Sequence, residues 1–258
     1  MNSVNRKIKS PEEIWREFME STKYRNIGET DEEKKLPHPS LEMNYNYNKN
    51  IDLPDPSCLD KSPLPLIDAI EKRKSVRKYL SNPLSLEDLS WLLWSTQGVK
   101  EIVDRPATLR TVPSAGARHS FETFLLINRV GNLVPGLYRF LASKHKLHEV
   151  KIDDTLCEAF AEANWSKQML KTSAVVFIWV AIGYRMTYRY GNRGYRYMHL
   201  DAGHVCQNLY LAALAVDCGV CAVGGFYDDK VNELLNLDGV ENFVIYMATV
   251  GKTLISEK

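Results

Sequence analysis

The chain has almost no charge imbalance. Lys and Arg number 33 against 32 Asp and Glu, a formal net charge of +1 over 258 residues. No global field draws it onto nucleic acid or an anionic membrane. Long apolar runs are missing too: the longest, from Ala174 to Ile182, is far too short to span a bilayer. Its five cysteines are an odd, scattered set, which excludes a disulfide framework. With no apolar segment of signal-peptide type near the N-terminus, a reducing cytoplasm is the expected setting. Cys218 and Cys221 form a C-x-x-C without a redox motif around them, and read as two buried small residues. His199 and His204 have no second ligand cluster beside them, so no metal site is expected. Internal repeats are absent.

What is present is ordinary globular composition, 45% hydrophobic and 25% charged, enough for one large buried core. Ser10-Pro11-Glu12-Glu13 is a capping box with proline at the first helical position, and Ile14 and Phe18 share a face behind it. From Tyr24 to Pro65 the chain turns polar, with prolines at 37, 39, 54, 56, 63 and 65 and an Asn/Tyr alternation around Asn44 to Asn48. Residues 1–63 therefore read as a helix and an extended arm too poor in apolar residues to hold a core. An ordered arm needs a surface, with a partner subunit as one candidate. Residues 64–258 carry the signals of an α+β domain. Helices are expected from Leu66, from Ser85 to a stop at Gly98, over Asp153 to Ala163, over His199 to Asp217, and over Asp228 to Leu235. Strands are expected at Phe121 to Asn128, Gly136 to Phe140, Leu147 to Ile152, Ala174 to Ile182, Val220 to Val223 and Phe243 to Val250. Ala174 to Ile182 is apolar throughout, as a strand covered on both faces should be. The His199 helix is apolar on most sides and reads as deeply buried.

Arg73-Lys74-Ser75-Val76-Arg77 places two guanidiniums and a hydroxyl at the end of a helix. Guanidiniums grip phosphate oxygens as planar forks, although a short basic run is usually a solvated face. Downstream, Pro113-Ser114-Ala115-Gly116 leaves backbone amides open beside a strand. Gly224-Gly225 closes another strand and permits close backbone approach. Gly251-Lys252 ends the last strand with a further cation. The aromatic and basic run from Tyr184 to Tyr197 has the ingredients of single-strand nucleic acid binding, but neutral net charge argues instead for a mobile loop shaping a substrate channel.

Arg73-Lys74-Ser75-Val76-Arg77-Lys78-Tyr79, then Leu93-Trp94-Ser95-Thr96-Gln97-Gly98, then Pro113 to Ala117, closely resembles the nitroreductase-like flavoprotein superfamily. Tyr190-Gly191-Asn192-Arg193-Gly194-Tyr195-Arg196-Tyr197, Asp201-Ala202-Gly203-His204, Gly224-Gly225-Phe226 and Val250-Gly251-Lys252 resemble its SagB-type dehydrogenase branch. The resemblance spans about residues 64 to 252. It implies a three-layer α+β sandwich with a central, mainly antiparallel sheet flanked by helices, and a homodimer with FMN at the interface. By resemblance, Arg73, Ser75 and Arg77 hold the FMN phosphate, ribityl chain and pyrimidine edge, and Lys252 adds charge at the phosphate. Ser114, Ala115 and Gly116 line the flavin from the neighbouring subunit, Gly224 and Gly225 run along the ring, and Gln168 meets its edge. Hydride transfer between NAD(P)H, FMN and a small organic or peptide-derived substrate is implied, with no membrane or nucleic acid partner. The reverse flow, from substrate to FMN to oxygen, is equally open.

Azoline dehydrogenases of the SagB branch carry a Lys-Tyr pair just before the Gly-x-Arg-Gly-Tyr-Arg stretch. Here that place reads Arg189-Tyr190. Lysine loses its proton when buried, whereas arginine stays charged. Arg189 is thus suited to orienting an anion and poor as a general base, which leaves Tyr190 as the candidate proton donor. Azoline oxidation, or a low-turnover flavin- or peptide-binding role in an assembly, stands as the alternative.

Overall fold

The computed structural model describes residues 9–44, 49–58, 64–104 and 106–254. Positions 45–48, within the Asn/Tyr alternation, and Pro63 lie outside the described residues. Strands β1 (Asn50–Asp52), β4 (Phe121–Ile127), β5 (Gly136–Leu141), β6 (Lys146–Lys151), β7 (Val175–Ile182), β8 (Cys218–Val223) and β9 (Asn242–Lys252) form one sheet in the order β1-β6-β5-β4-β7-β9-β8. Every neighbouring pair in it is antiparallel. Strands β2 (Val99–Val103) and β3 (Ala107–Arg110) make a separate hairpin that the sequence pattern did not announce.

Alternation along the central strand explains the layers. Val175, Phe177, Trp179 and Ala181 of β7 enter one core, and Val176, Ile178 and Val180 enter the other. The first core is covered by α3 (Leu86–Gln97) through Leu89, Leu92 and Leu93, and by α7 (Gly194–Leu214) through Met198, Val205 and Leu209. The second is covered by α4 (Leu156–Glu162), α5 (Lys167–Thr172) and α8 (Asp228–Leu234), through Phe160, Leu170 and Val231. The expected sandwich with a mainly antiparallel sheet is observed. Ser85 and Asp88 form the box that opens α3, and Gly98 closes it, where a Cβ would lie 2.5 Å from the Trp94 ring. Helix α1 (Pro11–Ser21) opens with the Ser10/Glu13 box, and α2 (Leu66–Lys72) runs into the basic segment.

Two expectations are corrected. The run from Tyr184 to Tyr197 is not a loop: α6 (Gly183–Tyr190) and one short helical turn lead directly into α7. Its buried residues mix Met186 and Tyr188 with Arg185, which donates to Ser40 O and to Glu122, so apolar residues alone do not mark the face that packs. Helix α7 begins about a turn before His199 and is one-sided rather than buried all round. His199, Leu200, Gly203, His204 and Gln207 form an open strip along it.

The arm lies on its own chain. Residues Asn50 to Asp52 add to the free edge of β6. Buried Glu122 accepts hydrogen bonds from Arg185 Nη2 at 2.6 Å and from the Met43 amide at 2.8 Å, and Arg139 donates to Met43 O. Arg118 donates to His38 Nε2, and Tyr188 to Leu36 O. Arg193 and Arg196 at the head of α7 donate to Thr22 and Met19 at the end of α1.

Candidate functional site

The basic segment ends α2 and turns along the sheet edge. The Val76 amide donates to Val220 O at 2.8 Å and Leu80 N to Lys252 O at 2.8 Å, so the segment is fixed to β8 and β9 by backbone bonds. Val76 packs where a side chain on Gly219 would stand, and Tyr79 does the same over Gly251. Tyr210 of α7, unmarked in the sequence, then organises the corner. Its hydroxyl accepts from the Ala222 amide at 2.9 Å and lies 3.1 Å from Ser75 Oγ. The Arg73 guanidinium stands 5.4 Å over its ring. Ser75 and Arg77 are exposed and Arg73 is half-buried.

Two residues beyond Ala222, Gly224 and Gly225 are exposed at the end of β8. Trp165, also unmarked in the sequence, borders them: its amide donates to Gly225 O at 3.1 Å while its side chain stays largely exposed. Gln168 lies one turn further along α5, exposed. Arg73, Ser75, Arg77, Gly224, Gly225 and Gln168 thus share one edge of the fold. Lys252 is close by but is spent internally. Its ammonium donates to Asp88 Oδ2 at 2.6 Å and to Val216 O at 2.8 Å. Tyr246, 4.0 Å from where a Gly224 Cβ would stand, has its hydroxyl pushed up to about 12 by burial and by neighbouring Cys206. The Cys206 thiol is likewise pushed up to about 12, chiefly by burial, so it is no reactive thiolate. Cys218 and Cys221 are both buried in β8 and face opposite cores. Among the described residues no cluster of three metal-ligating side chains occurs.

Ser114, Ala115 and Gly116 gather elsewhere. They open a turn in which Gly116, Ala117 and His119 all have positive φ, a costly run for two non-glycine residues. The Ala115 amide donates to the Asp201 carboxylate of α7 at 3.2 Å, and the His119 amide donates to Ser114 Oγ at 2.9 Å. Burial raises the Asp201 pKa against the hydrogen bonds from Ser114 and Ala115. Gly116 is pressed on the end of α6, where a Cβ would lie 2.5 Å from the Tyr190 hydroxyl and 3.2 Å from Arg189 Cδ. Tyr190 is held between rings and charge, edge-on to Tyr197 at 4.9 Å with the Arg189 guanidinium 5.7 Å from its centroid. Arg189 donates to Glu32 of the arm at 3.1 Å.

Two groups of the expected site residues therefore lie along α7. Asp201 marks one and Tyr210 the other, nine residues or about 13 Å apart along the helix axis. The structure brings 73, 75, 77, 168, 224 and 225 to one end, and 114–116, 189 and 190 to the other.

The layered antiparallel sheet thus carries a basic corner beside a glycine-lined strand end. The nitroreductase family model matches residues 70–252, and the chain belongs to that family. A Methanocaldococcus jannaschii protein named as a nitroreductase is 34% identical over 196 residues, 76% of this chain and 94% of its own length. The trifolitoxin-processing protein TfxB of Rhizobium leguminosarum is 29% identical over 62% of this chain and 45% of that protein. A solved structure from Anabaena variabilis, also named as a nitroreductase, is 29% identical with a TM-score of 0.63. It covers 73% of this chain, which spans 38% of it. Two further structures share the fold. One is the Escherichia coli microcin synthetase McbBCD complex, with TM-score 0.60, 19% identity and coverage of 96% and 95% of the two chains. The other is a Desulfovibrio desulfuricans protein solved with FMN, with TM-score 0.51, 17% identity and coverage of 76% and 94%. Among the described residues no helix is long and apolar enough to cross a membrane.

Proposed function

We propose that this nitroreductase-family oxidoreductase binds FMN and reduces or oxidises a small organic or peptide-derived substrate by hydride transfer. The observation that carries the proposal is the Tyr210 hydroxyl, which ties Ser75 to the Ala222 amide and so sets Arg73 and Arg77 on the strand end that opens at Gly224. The residues there fit the group. Arg73, Ser75 and Arg77 carry the donors that a phosphate and polyol need, and Gly224 and Gly225 leave an exposed backbone strip on which a flat ring can lie. Gln168 stands at its border. Lys252, paired with Asp88, supports the corner instead of offering a free charge. FMN held there would supply the two-electron chemistry, with NADH or NADPH as the hydride donor in the reducing direction and the substrate as the donor in the oxidising one.

The second group, Ser114 to Gly116 with Arg189 and Tyr190, stands about 13 Å from the first along the α7 axis. In a homodimer each copy would supply one group to the other's site. Exposed apolar side chains on α2 (Leu66, Ile67 and Ile70) and Leu200 on α7 support it. In that assembly Tyr190 donates a proton at the substrate, and Arg189 orients an anionic substrate group.

Azoline oxidation in a modified peptide is the second reading. Similarity to the trifolitoxin-processing protein favours it, and arginine at position 189 weighs against it. Purified protein should be yellow, with a flavin spectrum that bleaches anaerobically on adding NADH or NADPH. Colourless protein that takes up no FMN would overturn the proposal. Flavin that resists both nicotinamides but is reduced by an azoline peptide would select the second reading. Tyr190→Phe should retain flavin and lose at least about tenfold in turnover.

A further inference from the structure

Arg189 is not set by α6 alone. Its guanidinium is ion-paired to Glu32 at 3.1 Å, and the two side chains are 35% and 37% exposed. Glu32 comes from the arm, more than 150 positions earlier in the chain, and is itself held at several points. Its amide donates to Tyr188 O at 3.0 Å, one residue before Arg189. Its carbonyl accepts from Lys35 N at 3.0 Å. Thr30 and Glu33 close a reciprocal box around the same turn, the Thr30 amide donating to Glu33 Oε2 at 2.7 Å and the Glu33 amide to Thr30 Oγ1 at 3.3 Å. Tyr188 OH donates to Leu36 O at 2.9 Å, so the next turn of the arm is pinned to the same helix. The carboxylate is thus carried on a fixed piece of backbone.

On its other side Arg189 has little freedom. Its Cδ and Nε lie 3.2 and 3.3 Å from where a Cβ on Gly116 would stand, and its guanidinium shares space with the Tyr190 ring. A long arginine side chain loses much rotamer freedom when held like this, and a rigid acceptor at its tip is what holds it. The bond to Glu32 occupies one of the five guanidinium N–H groups and leaves the rest of the fork to a ligand.

We propose that Glu32 is a positioning residue: the arm delivers a carboxylate that fixes the Arg189 guanidinium beside Tyr190, preparing it for an anionic group on the substrate. This rests on the reading of Arg189 as the anion guide, and assigns the N-terminal arm a part in substrate selection. The pair is half-exposed, and the backbone bonds of the arm do not use the Glu32 side chain, so its loss should leave folding nearly intact.

The test uses the purified full chain with its flavin. Calorimetry gives the affinity for benzoate. Single-turnover reoxidation of dithionite-reduced protein is followed with 4-nitrobenzoate and with neutral 4-nitrobenzyl alcohol, which makes the result independent of the nicotinamide. Glu32→Ala should weaken benzoate binding and slow 4-nitrobenzoate reduction by about threefold to fivefold, the scale of a half-exposed ion pair. The alcohol should react within about twofold of wild type. Glu32→Gln keeps an acceptor for Arg189 and should recover most of the loss. In an Arg189→Ala background, Glu32→Ala should have no further effect. An equal loss for both substrates, no recovery with glutamine, or an undiminished effect without Arg189 would each overturn the role of Glu32. If wild type binds no benzoate, or Arg189→Ala alone changes neither benzoate affinity nor 4-nitrobenzoate reduction, the reading of Arg189 itself fails.

Discussion

Tyr210 stands between Ser75 and Ala222: its hydroxyl accepts the Ala222 amide at 2.9 Å and shares a hydrogen bond with Ser75 Oγ at 3.1 Å. One hydroxyl from α7 thereby couples the basic segment to the strand that ends at Gly224. Tyr210→Phe removes that coupling and leaves a half-buried amide without its acceptor. Flavin affinity should fall by about 1 kcal/mol, a fivefold weaker Kd, the size of one neutral hydrogen bond. Quenching of FMN fluorescence on titration with apoprotein measures it, and an unchanged Kd would show that the corner does not need the tether.

Arg73 and Lys252 look alike in the sequence, two cations near a candidate phosphate site, and should behave differently. Arg73 is half-buried over the Tyr210 ring. Arg73→Ala should weaken FMN retention by about 1.5–3 kcal/mol, the cost of a lost charged hydrogen bond, with little change in thermal stability. The Lys252 and Asp88 side chains are only 17% and 7% exposed, and Asp88 also closes the box at the start of α3. Lys252→Met strands that carboxylate and should cost about 3 kcal/mol or more of folding stability. Chemical denaturation separates the two cases from flavin binding. Equal stability of Lys252→Met and wild type would return Lys252 to the list of phosphate ligands.

The contrast shows what was legible. Capping boxes at Ser10 and Ser85, the stop at Gly98 and the apolar run of β7 are local signals, written in neighbouring residues; they mark the elements, and the sandwich was expected from the family resemblance. The basic segment and Gly224-Gly225 were legible as donors and open backbone. Tyr210, Trp165 and Glu32 were not, because a tyrosine in a helix, an exposed tryptophan and a glutamate in a polar arm carry no local mark. Their roles come from partners between about 12 and 157 positions away. Helix α6 was missed for a related reason: its buried residues include an arginine satisfied by Glu122, which puts a charged residue on the face that packs.

Glu122 is where the arm is locked down. It is almost fully buried, receives Arg185 at 2.6 Å and the Met43 amide at 2.8 Å, and lies 3.9 Å from Arg139. Glu122→Ala leaves guanidiniums without their anion inside the fold. A loss of about 3–5 kcal/mol is expected, together with release of the segment around Met43. Limited proteolysis followed by mass spectrometry should show cleavage in the arm of the variant under conditions where wild type resists. If the arm stays protected while global stability falls, β1 alone is sufficient to hold it.

His119 should contribute a distinct part of the acid sensitivity. It is buried in the Ser114 turn, and burial, then the charge of Arg110, lowers its pKa to about 3 from an ordinary 6.5. The folded state therefore keeps His119 neutral while the unfolded chain takes up a proton below about 6.5. For a histidine with a depressed folded pKa, stability is unaffected above 6.5 and is lost as pH falls from there toward 3. The slope from this one group reaches about 1.4 kcal/mol per pH unit at most. Asparagine accepts the left-handed backbone at this position, φ 42°, and does not titrate. His119→Asn should flatten the decline between about pH 6.5 and 4.5, read from urea midpoints at each pH. An acid slope identical to wild type would mean that other groups carry it. The same turn presents Ala115 and Gly116. A wild-type protein that sheds flavin over the same pH window, while the His119→Asn variant retains it, would tie the titration to the site as well as to the fold.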